Sequence, residues 1–239
     1  MTRWYNPAKM HPLRKQILHS LIINPSLPYS KLKPKEVEGN LFMYHIKQLI
    51  TEGLVGKRPD GRYELSSQGK IFADQLSLKN FKPRVQPKIV TLIVCRNNRG
   101  EFLLYKRKRQ PFLGQTGFPY GKIHLGETIA EAASRELKEK TGLSAEIKYR
   151  GEVYLMAYEG VEILSQMLCH IFEGKNPKGE LMENSEIGEC FWEEVKDPEE
   201  ARFMAGFADV YKLISRPLAN LFFEEFTYSF KRKTTDVNP

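Results

Sequence analysis

Apolar residues at helical spacing open the chain. Leu13, Ile17, Leu18, Leu21 and Ile22 fall on one face between His11 and Asn24, the periodicity of an amphipathic helix, and Asn24-Pro25 ends it. A short second helix is predicted over 30–37 with Ser30 as its cap. A third begins with Asn40 as cap, buries Phe42, Ile46, Leu49 and Ile50, and stops at Gly53. The pattern then changes period. Residues 54–58, a Pro59-Asp60-Gly61 turn and residues 62–65 read as a β-hairpin, and a fourth helix runs from Ser66 to about Leu76. Residues 79–88 contain Pro83, Pro87 and four Lys or Arg, the composition of a fairly stiff linker. Beyond it, strands are predicted at 89–95, 101–106, 151–158, 164–173 and 189–193, with a turn at Asn97-Asn98-Arg99-Gly100. A closing helix is predicted at 197–215. An aromatic-rich last helix is predicted within 218–230, ahead of a disordered tail at 231–239.

One helical segment carries more than packing information. Gly126-Glu127-Thr128 starts it with acidic charge near the positive end of the helix dipole, and Gly142 ends it. Ile129, Ala133 and Leu137 form the packing face, while Glu136 and Glu139 share another. Two carboxylates at that spacing, approached by the Glu127 loop, are suited to holding a hard divalent cation through oxygen. The full run reads Gly121, five residues, Glu127, seven residues, then Arg135-Glu136-Leu137-Lys138-Glu139-Lys140-Thr141-Gly142-Leu143. It resembles the box of the Nudix (MutT-like) hydrolase superfamily at every fixed position except the last Glu, where Lys140 stands.

The resemblance implies a Nudix α/β/α sandwich around a mixed sheet, with catalytic Glu127, Arg135, Glu136 and Glu139. It implies Mg²⁺ or Mn²⁺ held by Glu127, Glu136 and Glu139. Lys140 opposes that metal by charge, and it follows Glu136 by four residues, the favoured order for a helical ion pair. His124 stands where the family often has an acid. Glu183, Glu186 and Glu189 lie where members often place a catalytic base, but they also read as a solvated acidic surface. Arg107 and Arg109, at the end of the 101–106 strand, together with Lys122 and Phe118, are the substrate-binding candidates. Phe112, Phe118 and Tyr120 read either as base-stacking residues or as core.

The helix order of residues 8–78, with the phrases Leu49-Ile50-Thr51-Glu52-Gly53-Leu54-Val55 and Asp60-Gly61-Arg62-Tyr63, resembles a winged helix-turn-helix domain. That implies a third helix in the DNA major groove. Asn40, Met43, Tyr44 and Lys47 would face outward from it, and Lys57, Arg58 and Arg62 on the wing would meet phosphates. The architecture expected is therefore α/β: an N-terminal winged helix (α+β) at 1–78, a linker at 79–88, a Nudix domain at 89–216, and a C-terminal helix and tail at 217–239.

Charge sharpens the division. Residues 1–80 hold 13 Lys and Arg against 6 Asp and Glu, and residues 81–126 hold 10 against 1, within a net charge of +8. A basic first part suits a polyanionic partner. Cys95, Cys169 and Cys190 are odd in number and widely spaced, which argues against disulfides and for a cytoplasmic setting. No apolar run reaches membrane-span length and no signal-peptide pattern opens the chain. Three functions remain open. One is a DNA-binding transcriptional regulator, expected as a homodimer, whose Nudix domain senses ADP-ribose or a sugar nucleotide with weak or no hydrolysis. Another is an active hydrolase of nucleoside diphosphate derivatives. The third is a protein-interaction scaffold.

Overall fold

The computed structural model describes residues 10–217 and 221–230, and the chain divides into two compact units at Gln86/Pro87. The expected tail at 231–239 and the start of the expected last helix at 218–220 lie outside the described residues.

The first unit is built from α1 (Pro12–Ile22), α2 (Tyr29–Leu32), α3 (Gly39–Thr51), the antiparallel pair β1 (Val55–Lys57) and β2 (Tyr63–Leu65), α4 (Ser67–Asp74), and the pair β3 (Leu76–Ser77) and β4 (Lys82–Pro83). Ile17, Leu18, Phe42, Ile46, Leu49 and Leu54 close its core at about zero exposure. Four expectations are corrected here. Asn40 is not the cap of α3, because Glu38 holds that position and Asn40 lies inside the first turn. Ile50 faces outward at 37% exposure, and His45 takes a core position instead. The second helix is a single turn that begins before Ser30 with Pro28 at its cap. Residues within the expected linker fold back, since β3 pairs with β4 and Phe81 is buried among the first unit's core residues. Ser66 caps α4 by accepting from the Gly69 N–H at 2.9 Å.

The second unit carries a five-stranded mixed sheet in the order β12-β9-β10-β5-β8 and a three-stranded antiparallel sheet in the order β11-β6-β7. These strands are β5 (Lys88–Cys95), β6 (Phe102–Arg107), β7 (Thr116–Gly117), β8 (Tyr120–Lys122), β9 (Ser144–Glu159), β10 (Glu162–Lys178), β11 (Gly188–Glu193) and β12 (Phe222–Phe230). Two helices flank them, α5 (Ile129–Thr141) and α6 (Phe207–Ile214). Strand alternation sorts β5 between two cores. Ile93 and Cys95 pack with Ala133 and Leu137 of α5, while Val90, Leu92 and Val94 pack with Phe207, Val210 and Leu213 of α6.

Three further corrections concern this unit. The expected last helix is strand β12, parallel to β9 from Phe222↔Gly151 to Phe230↔Glu159. Its Phe, Tyr and Thr residues favour a pleated half-buried surface over a helix. The expected helix at 197–215 is helical only from Phe207, where Gly206 at φ +86° starts α6. Strands β9 and β10 each extend well past their expected ends. The first half of β9 is mostly polar, but Ala145, Ile147 and Tyr149 alternate onto the α5-side core. Arg150, 1% exposed, donates to Glu173 Oε2 at 2.9 Å and to the carbonyls of Ile214, the last residue of α6, and of Arg216 just beyond it. It thereby ties the end of that helix to the sheet. None of the described helices is long and apolar enough to cross a membrane.

Candidate functional site

The site is organised by Arg135. Thr128 caps α5 with a reciprocal capping box to Glu131, and Gly142 at φ +74° ends it. This fixes the helix with Arg135, Glu136 and Glu139 directed at the Glu127 loop. Arg135 Nε and Nη2 grip Glu127 bidentately at 2.9 and 2.7 Å. Its Nη1 reaches Glu136 Oε1 at 2.9 Å and Glu139 Oε2 at 3.1 Å, and Nη2 also donates to the Lys122 carbonyl at 2.9 Å. The four expected catalytic residues are thus brought together. The Arg135 contacts, with a further N–H from His124, hold the Glu127 carboxyl at about 2, well below its usual 4.5.

The opening glycine of the motif has a steric cause. A methyl group on Gly121 would sit 1.7 Å from the Glu136 carboxyl carbon. Only glycine lets β8 accept that carboxylate, which is 7% exposed.

Lys140 closes the cluster. Its ammonium lies 3.4 Å from Glu136 Oε2, donates to the Tyr120 carbonyl, and stands over the rings of Tyr120 and Tyr105 at 4.9 and 5.5 Å. Burial lowers its pKa, and Glu136 opposes that shift. Glu136 therefore has one oxygen held by Arg135 and the other by Lys140. A unit charge and a dication about 5 Å apart repel by roughly 7 kcal/mol at an effective dielectric near 20. The donor set does not fit Mg²⁺ or Mn²⁺ while Lys140 is charged. Among the described residues no group of three His, Cys, Asp or Glu is arranged to hold a metal ion. Ile129, expected on the packing face, is 39% exposed, and Ala132 is buried beside Ala133 and Leu137 instead.

Beside this cluster lies an apolar pocket lined by Phe112, Phe118, Tyr120, Ser165, Met204 and Tyr228 among others. Phe118 is both pocket wall and core: it is 2% exposed and stacks on Phe207 at 4.5 Å. Arg107 lies at the end of β6, 7% exposed, with Nε on the Pro111 carbonyl at 2.9 Å and Nη1 on the Tyr120 hydroxyl. Tyr120 therefore joins pocket to charge cluster. Arg109 and Lys122 are exposed. Glu183, Glu186 and Glu189 are not in the pocket wall; Glu189 pairs with Lys108 at 3.4 Å. His124 is largely exposed, 3.9 Å from Glu127.

These features agree with the comparisons. The sequence profile of the NUDIX domain matches residues 86–214, more than half of the chain. The chain belongs to the Nudix family. An ADP-ribose pyrophosphatase of Methanocaldococcus jannaschii is 35% identical over 97 residues, 38% of this chain and 56% of that protein. An oxidized purine nucleoside triphosphate hydrolase of Danio rerio is 33% identical over 100 residues, 42% of this chain and 62% of that protein. The matched stretch therefore spans less than two thirds of either relative. A MutT protein from Bacillus halodurans shares the fold in its crystal structure, with a TM-score of 0.51 and 24% identity over 59% of this chain and 90% of that one.

Sequence reasoning missed Lys88 and Tyr228 as residues near the Nudix site. Lys88 falls at the end of the expected linker, and Tyr228 within the expected last helix. Strand pairing brings each into place, and pairing leaves little local signal.

In the first unit, Asn40, Tyr44 and Lys47 are exposed on α3, while Met43 is half-buried against the core. Lys57 and Arg58 are exposed at the β1–β2 hairpin, with Arg58 3.7 Å from Asp60 and 3.6 Å from Glu64. Arg62 is turned inward. Its Nε donates to Ser26 Oγ at 2.8 Å and its Nη2 to the Ser26 carbonyl at 2.6 Å.

Proposed function

We propose that the Nudix unit binds a nucleoside-diphosphate derivative of the ADP-ribose or sugar-nucleotide type with weak or no hydrolysis. In the same reading, the first unit is a winged helix through which a homodimer binds double-stranded DNA as a transcriptional regulator. The Lys140 ammonium carries this reading, because it puts a positive charge 3.4 Å from an oxygen of Glu136, one of the carboxylates that the resemblance assigns to the metal. The pocket beside Tyr120 supports a base-sized apolar group, and the ADP-ribose pyrophosphatase of M. jannaschii supports the ligand class. The outward Asn40, Tyr44 and Lys47 on one helix support groove reading, and Lys57 and Arg58 support phosphate contact. Arg62, committed to Ser26, is better suited to holding the hairpin than to touching DNA.

Fluorescence anisotropy with a labelled duplex, with and without ADP-ribose, tests the regulator reading. Salt-dependent duplex binding that ADP-ribose alters is the expected result. Absence of duplex binding at low salt would overturn the DNA part. The second reading, an active hydrolase, is favoured by the retained convergence of Glu127, Arg135, Glu136 and Glu139. Metal-dependent turnover would establish it.

A further inference from the structure

The cations around the Nudix site outnumber the three carboxylates of its box, and two of them, Lys88 and Lys122, lie on the face of the sheet that also forms the pocket. In the β5–β8 pair, Leu92 stands opposite Tyr120 and Val90 opposite Lys122. Side chains two apart on a strand share a face. Tyr120 and Leu92 line the pocket, so Lys122 and Lys88 continue that face beyond its mouth. Tyr120 and Lys122 are about 7 Å apart along the strand, the scale of a ribose interposed between base and phosphate. Arg107 reaches the same place from β6 through the Tyr120 hydroxyl. Lys122, Arg107 and Arg109 lie close enough to Lys88 for their charges to add to burial in lowering its pKa. Among the described residues Lys88, Arg109 and Lys122 form no ion pair. Glu127, Glu136 and Glu139 are paired with Arg135 and Lys140 on the α5 side, while Lys88, Arg107, Arg109 and Lys122 lie near one another beside them, Arg107 and Arg109 near enough to Lys140 to lower its pKa. The surround is positive before any metal arrives, the reverse of a site that needs a dication to accept an anion.

We propose that the Nudix unit holds its ligand's diphosphate without a metal ion, on the exposed Lys88, Arg109 and Lys122, with the buried Arg107 positioning Tyr120 beside them and Lys140 supplying the charge that neutralises Glu136. The proposal rests on the nucleoside-diphosphate reading above and specifies how that ligand is held. Arginine offers paired N–H groups to phosphate oxygens, and lysine offers a point charge.

Isothermal titration of the full chain with ADP-ribose, and separately with inorganic pyrophosphate, tests it in EDTA and in Mg²⁺. Both ligands are expected to bind in EDTA, with no gain on adding Mg²⁺. The exposed pair Arg109→Gln/Lys122→Gln should weaken binding in EDTA by about tenfold or more. Lys140→Glu should make binding depend on Mg²⁺. Binding of either ligand only in Mg²⁺ would overturn metal-free capture and leave the ligand reading intact. Pyrophosphate binding in EDTA without any ADP-ribose binding would support the cation site and overturn that nucleotide ligand. No binding under any condition would overturn both. Should Lys140→Glu fail to fold, the surface pair still decides, since unchanged affinity in EDTA contradicts the proposal.

Discussion

Arg135 and Lys140 divide the labour of neutralising the carboxylates of α5 and its preceding loop. Arg135 bridges Glu127, Glu136 and Glu139, and Lys140 takes the remaining oxygen of Glu136. Because the Glu127 carboxyl falls from 4.5 unfolded to about 2 folded, its contribution to stability is complete above about pH 4.5 and is lost as pH falls toward 2. Thermal melts of wild type and Glu127→Gln should therefore differ most above pH 4.5 and converge below it. A constant gap across that range would contradict the account. Gly121→Ala places a methyl group on the Glu136 carboxylate. It should lower stability by about 1–3 kcal/mol in urea titration, and an unchanged midpoint would show that the carboxylate has room to move.

At the level of elements, much of the α5 region was legible from the sequence because its signals are local. The capping residue, the helix formers and Gly142 lie within one run, and the Arg–Glu spacing places the groups on adjoining faces. The Lys140–Glu136 pair follows from the same i,i+4 geometry. Strand β12 stands where a helix is expected from the sequence. The two-residue alternation Phe226-Thr227-Tyr228-Ser229-Phe230 is a strand mark that the aromatic content overshadows, and the partner β9, some seventy residues earlier in the chain, leaves no local signal. The helix expected from Asp197 failed for another reason. Residues before Gly206 are fixed by contacts such as Thr116 N–H to the Arg202 carbonyl at 2.8 Å, which an acidic, helix-prone composition does not reveal. Arg150 is the tie between these late elements and the sheet. Arg150→Met should cost about 3–5 kcal/mol, because it leaves Glu173 without its buried partner. Calorimetry checks this, and a variant as stable as wild type would remove Arg150 from that role.

For the whole molecule, the proposed reading gives each unit its own kind of anion. In the first, Lys57 and Arg58 stand at the hairpin and Arg62 is bound to Ser26. In the proposed DNA complex, Lys57→Ala and Arg58→Ala should each reduce the log–log salt slope of duplex binding by about one. Arg62→Ala should act on stability instead. An Arg62→Ala variant that lowers the slope while melting normally would contradict that assignment. In the second unit, the run that resembles the family's box departs from it at Lys140, whose ammonium lies 3.4 Å from Glu136. The central claim is that Lys140 disarms hydrolysis while the rest of the box persists. Its most direct test is turnover of ADP-ribose, NADH, sugar nucleotides and a dNTP in Mg²⁺ or Mn²⁺, with wild type run beside Lys140→Glu. The account predicts little or no turnover by wild type and a clear gain in the variant. Efficient metal-dependent turnover by wild type would contradict it.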